Sequence, residues 1–390
     1  MTLKISKRGK VPPFIVMDVL RAANNLQMQG GGVLHLELGQ PAKGAPSGVV
    51  NFAKEMISND PLGYTEAFGL ISVRNRISEY YEINQGLKVD PEQIIITTGS
   101  SGGFVLAFTA AFDAGARVAI ATPSYPGYRN ILMSLNIEPV FIETGPETNF
   151  QLTTNLLNKI SAPIDGLIIA SPSNPTGTML SEDALKTISD YCILHNIRLI
   201  SDEIYHGITY HSQAVTARKF NKDAIIINSF SKYFSMTGWR VGWMVAPSDL
   251  LRSIECLAQN LFISAPTLSQ HAAAVAFNCI NELDQNVAIY EQNRAVLLKG
   301  LPKIGLDQFA SVDGAFYIYA NVSHLTNDSE KFCRQMLKEI GVATTPGTDF
   351  DLERGRSYIR FSFSGPPEDI EEAVQRIKNW LPNPAKTQFF

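Results

Sequence analysis

A chain of 390 residues, 45% hydrophobic and 18% charged, has the balance of a soluble globular enzyme, and its length suits two domains better than one core. The formal net charge of -4 gives no electrostatic reason to expect nucleic acid or an anionic membrane as a partner. No apolar run approaches the roughly 20 residues that span a bilayer, and the basic stretch Met1–Lys10 leads into Pro12 and Pro13 rather than an apolar segment, which speaks against a secretory signal.

Along the chain, Gln93 to Thr98 is rich in Ile and Thr and predicts a strand, and Gly102 to Phe112 predicts an apolar helix. Arg117 to Ala121, Gly166 to Ala170, Ile197 to Ser201 and Ala224 to Asn228 read as short buried strands. Ser181 caps a helix running to about His195, with Glu182 and Asp183 in the turn where the helix dipole favours them. Two-sided apolar strands between helices predict a doubly wound α/β fold with a mostly parallel sheet. The pattern changes near residue 285. A polar helix over Glu282 to Lys299 is followed by a strand (Ala315 to Ala320), a helix (Asp328 to Ile340), a strand (Tyr358 to Ser362) and a helix (Pro367 to Trp380), a smaller α+β domain. The expected division is an N-terminal arm contributing to the small domain (1–45), a large domain (46–285) and a small C-terminal domain (286–390).

Cys192, Cys256, Cys279 and Cys333 are scattered without a C-x-x-C pair and read as free thiols of a cytoplasmic enzyme. His206 and His211 stand five apart, which does not stack them on one helix face, and no metal site is expected.

The most informative segment runs from Ser229 to Gly242: Ser-Phe-Ser-Lys-Tyr-Phe-Ser-Met-Thr-Gly-Trp-Arg-Val-Gly. Lys232 sits between hydroxyls, and Arg240 follows. A lysine amine condenses with carbonyls, while serines and an arginine suit a phosphate. Pyridoxal phosphate (PLP) carries both an aldehyde and a phosphate. Other candidates fall at predicted strand ends, where open α/β sheets bind ligands. Thr97-Thr98-Gly99-Ser100-Ser101-Gly102 ends one strand and opens a helix, a place for an anion or simply a capped turn. Ser171-Pro172-Ser173-Asn174-Pro175-Thr176-Gly177 is a rigid loop or one in which Asn174 donates to a cofactor oxygen. Asp202 either caps the next segment or faces a pyridine nitrogen, whose protonation its charge would favour. Tyr205 then stands ready to donate to the ring's phenolic oxygen. Tyr125, in Pro123-Ser124-Tyr125-Pro126-Gly127-Tyr128, offers a stacking face. Arg360 lies in an otherwise apolar and aromatic strand, so its guanidinium needs a structural or a substrate carboxylate.

Together these motifs resemble the class I/II aminotransferases, the fold type I PLP enzymes, over roughly residues 35 to 365. The resemblance implies that Lys232 bonds the cofactor aldehyde and shuttles a proton, and that Asp202 pairs with the pyridine nitrogen. It implies contacts from Asn174 and Tyr205 to the phenolic oxygen and a stacked Tyr125. Ser100, Ser101, Ser229 and Arg240 would hold the phosphate, with Gly102 and Ser231 also at the cofactor. Tyr64 resembles the tyrosine that a partner subunit sends to the phosphate, so a homodimer with shared sites follows. Arg360, helped by the backbone at Gly39, would bind the substrate α-carboxylate. The implied reaction moves an amino group from an amino acid to a 2-oxo acid in ping-pong fashion.

Two departures stand out. The family's G-E-P-D-F appears as Gly39-Gln40-Pro41-Ala42-Lys43, and no lysine stands near Ser101 where some acidic-substrate relatives have one. Phe14 and Ile15 read as a hydrophobic N-terminal anchor, with a side-chain pocket as the alternative. The rival chemistry is β-elimination on the same fold; a PLP-binding regulator without catalysis would need an added DNA-binding domain, and no spare segment is long or basic enough.

Overall fold

The computed structural model describes residues 3–381. Residues 382–390, assigned above to the C-terminal domain, lie outside the described residues, as do Met1 and Thr2 of the basic start.

Twelve strands occur among the described residues: β1 (Leu34–His35), β2 (Ile94–Thr97), β3 (Arg117–Thr122), β4 (Glu138–Glu143), β5 (Gly166–Ala170), β6 (Arg198–Asp202), β7 (Ile225–Ser229), β8 (Gly242–Val245), β9 (Tyr317–Asn321), β10 (Val342–Ala343), β11 (Thr345–Pro346) and β12 (Tyr358–Ser362). Seven form one sheet in the order β2-β8-β7-β6-β5-β3-β4. The Ile- and Leu-rich strands β2, β5, β6 and β7 are buried nearly throughout, as two-sided coverage requires. The edge strand β4 is instead largely open, with Glu138, Phe141 and Glu143 exposed and only Ile142 buried.

The sheet is parallel except at β8, which runs antiparallel to both β2 and β7. A parallel neighbour would need a crossover of a dozen or more residues, usually a helix. The Ser229–Gly242 segment contains only one 3-10 turn, Thr237–Trp239, so the chain must return beside the strand it left. Ser229 and Gly242 therefore face each other directly across the ladder.

The predicted helices appear with small shifts. Ser181 Oγ accepts from the Ala184 amide at 3.2 Å and starts the Glu182–Leu194 helix. Asp328 does the same for Ser329–Ile340, accepting from Lys331 at 2.9 Å. The helix after β2 begins at Gly99 rather than Gly102, because Gly99 takes a left-handed φ of +74° and turns the chain immediately after the strand.

A three-stranded antiparallel sheet, β11-β12-β9, lies toward the C-terminus. The N-terminal chain is woven into it: β1 pairs with β10, the Leu36 amide donates to Ala343, and the Ser362 amide donates to the Leu36 carbonyl. This weaving carries Gly39 toward the ends of the large sheet.

Candidate active site

The C-terminal ends of β2, β3, β5, β6 and β7, with the start of β8, converge on one region. Asp202 ends β6 and is buried. Its Oδ1 accepts from the Ile204 amide at 3.1 Å, and its Oδ2 accepts from the Tyr128 hydroxyl. Burial pushes its carboxyl up to about 6, against the two hydrogen bonds and the Lys232 charge. No cation pairs with it among the described residues.

Lys232 follows β7 in the connection to β8. Its Nζ donates to the Gly39 carbonyl at 2.5 Å and stands 5.8 Å from the centre of the Tyr205 ring. Burial, aided by the Arg360 and Arg240 charges and opposed by Asp202, lowers the amine to about 8. Its amine is therefore neutral in about a tenth of molecules at pH 7 and in about half at pH 8.

Arg240 closes the same connection in a left-handed conformation, φ +52°, unusual for a residue with a side chain. Its guanidinium lies against Gly99, where a Cβ would meet Nη2 at 2.4 Å. A Cβ at Gly242 would meet the Ser100 amide nitrogen at 3.1 Å. Glycines thus let arginine, strand and helix start crowd together. Ser101 and Arg240 are exposed and Ser100 half-buried around this helix N-terminus. Ser229 and Ser231 are buried and bonded to each other at 2.9 Å, so they shape the turn from within. Gly102 packs into the first helical turn, where a Cβ would meet Thr98 Oγ1 at 2.4 Å.

Arg360, central in β12, is 2% exposed. Its Nη1 donates to Asn174 Oδ1 at 2.8 Å and its Nη2 to the Glu37 carbonyl, while Nε has no partner. The guanidinium lies 4.3 Å from the Tyr317 ring centre and 4.7 Å from that of Phe350. No carboxylate pairs with it among the described residues, so the structural ion pair offered as one explanation for a buried arginine is absent.

Tyr125 bonds toward Ser101 and is pushed up to about 12 by burial. Asn174 lies in a loop whose Ser171–Pro172 and Asn174–Pro175 bonds are both cis. Tyr205 is buried, its hydroxyl 2.7 Å from that of Tyr317. Tyr64 stands apart, 83% exposed.

Two tyrosines here escaped the sequence reading. Tyr128 lies one helical turn after Tyr125, with ring centres 5.3 Å apart, and the i, i+3 spacing was its signal. Tyr317 lies in a strand of apolar and aromatic residues and reads as core. Phe14 meets Tyr125 edge-on at 5.7 Å, and the Ile15 and Val16 amides donate to Asp349 at 3.0 and 3.1 Å. The N-terminal segment is therefore both anchored and adjacent to the site.

Among the described residues Lys232, Arg240 and Arg360 form no ion pair, although the buried carboxyls of Asp202 and Asp349 lie near enough to feel the charges of Lys232 and Arg360. Such an arrangement calls for anions. One place for an anion is the serine-lined helix start beside Arg240, and the other is the Arg360 fork with its orphaned Nε. A ligand with a phosphate, an aldehyde within reach of Lys232 and a basic ring nitrogen facing Asp202 fits the donor set.

Comparison with known proteins agrees with this geometry. The profile described as aminotransferase class I and II matches residues 32–377. The chain is 48% identical over 387 residues to the valine–pyruvate aminotransferase of Mycobacterium tuberculosis, covering 98% of this chain and 100% of that one. It is 35% identical to the (5-formylfuran-3-yl)methyl phosphate transaminase of Methanocaldococcus jannaschii, covering 94% and 96%. A crystal structure of an aminotransferase from Mycobacterium tuberculosis superposes with a TM-score of 0.96 at 48% identity, covering 98% of this chain and 100% of that chain. The chain belongs to the class I and II aminotransferases, PLP-dependent enzymes of fold type I that transfer an amino group from an amino acid to a 2-oxo acid.

Proposed function

We propose that Lys232 is the residue that bonds the PLP aldehyde and moves the substrate proton, with an aliphatic amino acid as donor and pyruvate as an acceptor. The observation that carries this reading is the half-buried Lys232 amine, lowered to about 8, which feels the charges of both Asp202 and Arg360, whose Nε has no partner. Ser100, Ser101 and Arg240 would hold the phosphate, with Ser229, Ser231 and Gly102 shaping the turn there. Asp202, held in place by Tyr128, would pair with the pyridine nitrogen. Asn174 and Tyr205 would donate to the phenolic oxygen, and Tyr125 would stack on the ring.

PLP, when bound, supplies the electron sink that makes the α-proton of an amino acid removable. Arg360 binds the α-carboxylate through its fork, with the backbone at Gly39 beside it, and so fixes which substituent of Cα faces Lys232. With PLP bound, Lys232 Nζ would take the proton from Cα and deliver it, on the same face, to the carbon that carried the cofactor's aldehyde, which leaves the amino group on the cofactor. Its depressed pKa suits both halves of that exchange near neutral pH. Asp202, ionised above about pH 6, would supply the negative charge that keeps the ring nitrogen protonated. A second 2-oxo acid then enters by the same carboxylate contact, which gives ping-pong kinetics.

The aliphatic preference rests on the 48% identical valine–pyruvate relative and on the apolar edge that Phe14 presents to Tyr125. A homodimer with shared sites accounts for Tyr64, whose exposed ring leaves it available to a second subunit. We assign the protein to the cytoplasm; no helix among the described residues is long and apolar enough to cross a membrane. We also propose a division into an arm (1–45), a large domain (46–285) and a small domain (286–390); the seven-stranded sheet, with strands between 94 and 245, and the three-stranded sheet, with strands between 317 and 362, support it.

A panel of amino acid donors against pyruvate and 2-oxoglutarate tests the reading. Valine and related aliphatic donors should give stoichiometric transfer to pyruvate. Release of ammonia without an acceptor, or a preference for aspartate, would overturn it.

A further inference from the structure

The Tyr317 hydroxyl sits where the two halves of the site meet. It lies 2.7 Å from the Tyr205 hydroxyl. A Cβ built on Gly39 would fall 1.7 Å from it, so it touches the backbone whose carbonyl receives the Lys232 amine. The face of the same ring carries the Arg360 guanidinium at 4.3 Å. One buried side chain thus contacts the neighbours of the cofactor ring, the lysine and the substrate carboxylate.

We propose that Tyr317 is a positioning residue that fixes the direction of the Tyr205 hydroxyl proton and couples it to Arg360. This rests on the role given to Tyr205 above. A phenol has one proton to donate. If Tyr205 spends its proton on the phenolic oxygen of the cofactor, the 2.7 Å contact requires Tyr317 to be the donor to Tyr205. The guanidinium over the Tyr317 ring supports that direction, because a cation on the π face makes the phenol a better donor. A hydroxyl that accepts a hydrogen bond becomes a stronger donor in turn. Tyr317 therefore strengthens the bond from Tyr205 to the cofactor oxygen and favours the anionic form of that oxygen.

The sign of the effect follows. A well-solvated anionic phenolic oxygen lowers the pH at which the lysine-bound cofactor loses its proton. Removing the Tyr317 hydroxyl weakens the Tyr205 bond and should raise that pH. Tyr317→Phe keeps the ring under Arg360, so the carboxylate contact should be largely preserved.

The test is a spectrophotometric pH titration of the holoenzyme's visible band, without substrate, for wild type, Tyr317→Phe, Tyr205→Phe and the double variant. Tyr317→Phe should move the midpoint upward by roughly 0.5 unit, and Tyr205→Phe should move it further. The double variant should match Tyr205→Phe alone, because Tyr317 acts through Tyr205. Steady-state kinetics of Tyr317→Phe should show kcat reduced about threefold to tenfold with KM for the amino acid changed less than twofold. An unshifted midpoint in Tyr317→Phe, or additive shifts in the double variant, would overturn the inference while leaving the assignment of Lys232 intact. A wild-type protein that takes up no PLP would sink both.

Discussion

Nη1 of Arg360, on the middle strand of the small sheet, donates to Oδ1 of Asn174 at 2.8 Å, in a loop of the large one. Residues 186 positions apart in sequence thereby share a proton across the seam between the two sheets. The same asparagine is proposed to address the cofactor, so the residue proposed for the substrate carboxylate is bonded to the one proposed for the ring.

Replacing Arg360 with alanine should lower kcat/KM for amino acids by about 2–5 kcal/mol, the cost of removing one member of a buried charged pair. The loss should appear mainly in KM. Arg360→Lys should recover only part of it, because an ammonium cannot reproduce the fork that also holds Asn174 and the Glu37 carbonyl. Unchanged steady-state constants in both variants would remove Arg360 from substrate binding.

Uptake of PLP by the apo-protein should follow the neutral fraction of Lys232. The rate should rise about tenfold per pH unit well below 8 and level off above it. Arg360→Met removes a like charge that depresses the amine, so the plateau should move to higher pH. Stopped-flow absorbance across pH 6–10 checks both. A pH-independent rate would separate Lys232 from cofactor capture.

Glu203, next to Asp202, accepts from Ser201, Thr216 and the Ala217 amide, and burial pushes its carboxyl up to about 8. The folded protein then keeps a proton that the unfolded chain loses near 4.5. Its contribution to stability is present at low pH and declines as pH rises from about 4.5 through 8. Glu203→Gln has no such proton, so its Tm relative to wild type should climb across that window. His206 Nδ1 lies 3.6 Å from Glu203 Oε2, and its own titration, between about 4 folded and 6.5 unfolded, ends below the upper part of the window, so the comparison is read between about pH 6.5 and 8. A pH-independent Tm difference would show that Glu203 is ionised in the folded protein.

Asp349 takes both the Ile15 and Val16 amides, leaving the N-terminal helix held by a side chain from the far end of the chain. Asp349→Ala should cost about 1 kcal/mol, reaching 2 if the segment loosens. Limited proteolysis should then cut before Ile15 faster than in wild type. Because Phe14 rests on Tyr125, discrimination between aliphatic and polar donors should also weaken. A protease pattern like wild type would show that the cap is dispensable.

The sequence was most legible where chemistry constrains several neighbours at once. Lys232 and Arg240 stand in a segment whose hydroxyls, glycines and spacing point to a phosphate-bearing aldehyde. Asp202, Asn174 and Arg360 were found because a polar residue at the end of an apolar strand, or within one, needs a reason. Tyr317 offered no such contrast, since an aromatic residue between Phe316 and Ile318 is ordinary core, and only its hydroxyl's neighbours distinguish it. The antiparallel β8 was hidden for a different reason: Gly242 to Val245 is too short to show a period, and its direction is set by the tight return from Ser229. Asp349 was out of reach because its partners lie more than 330 positions away.

The facing pair Ser229 and Gly242 has one more consequence. With both ends pinned to adjoining strands, the intervening loop acts as a gauge of fixed length, and the roles proposed for Lys232 and Arg240 require the gap between them to match the span from aldehyde to phosphate. Side chains along the loop can vary in size as long as the count does not. One residue inserted between the two would leave the sheet intact and put the two grips out of step, so that the protein could hold either end of its cofactor but not both.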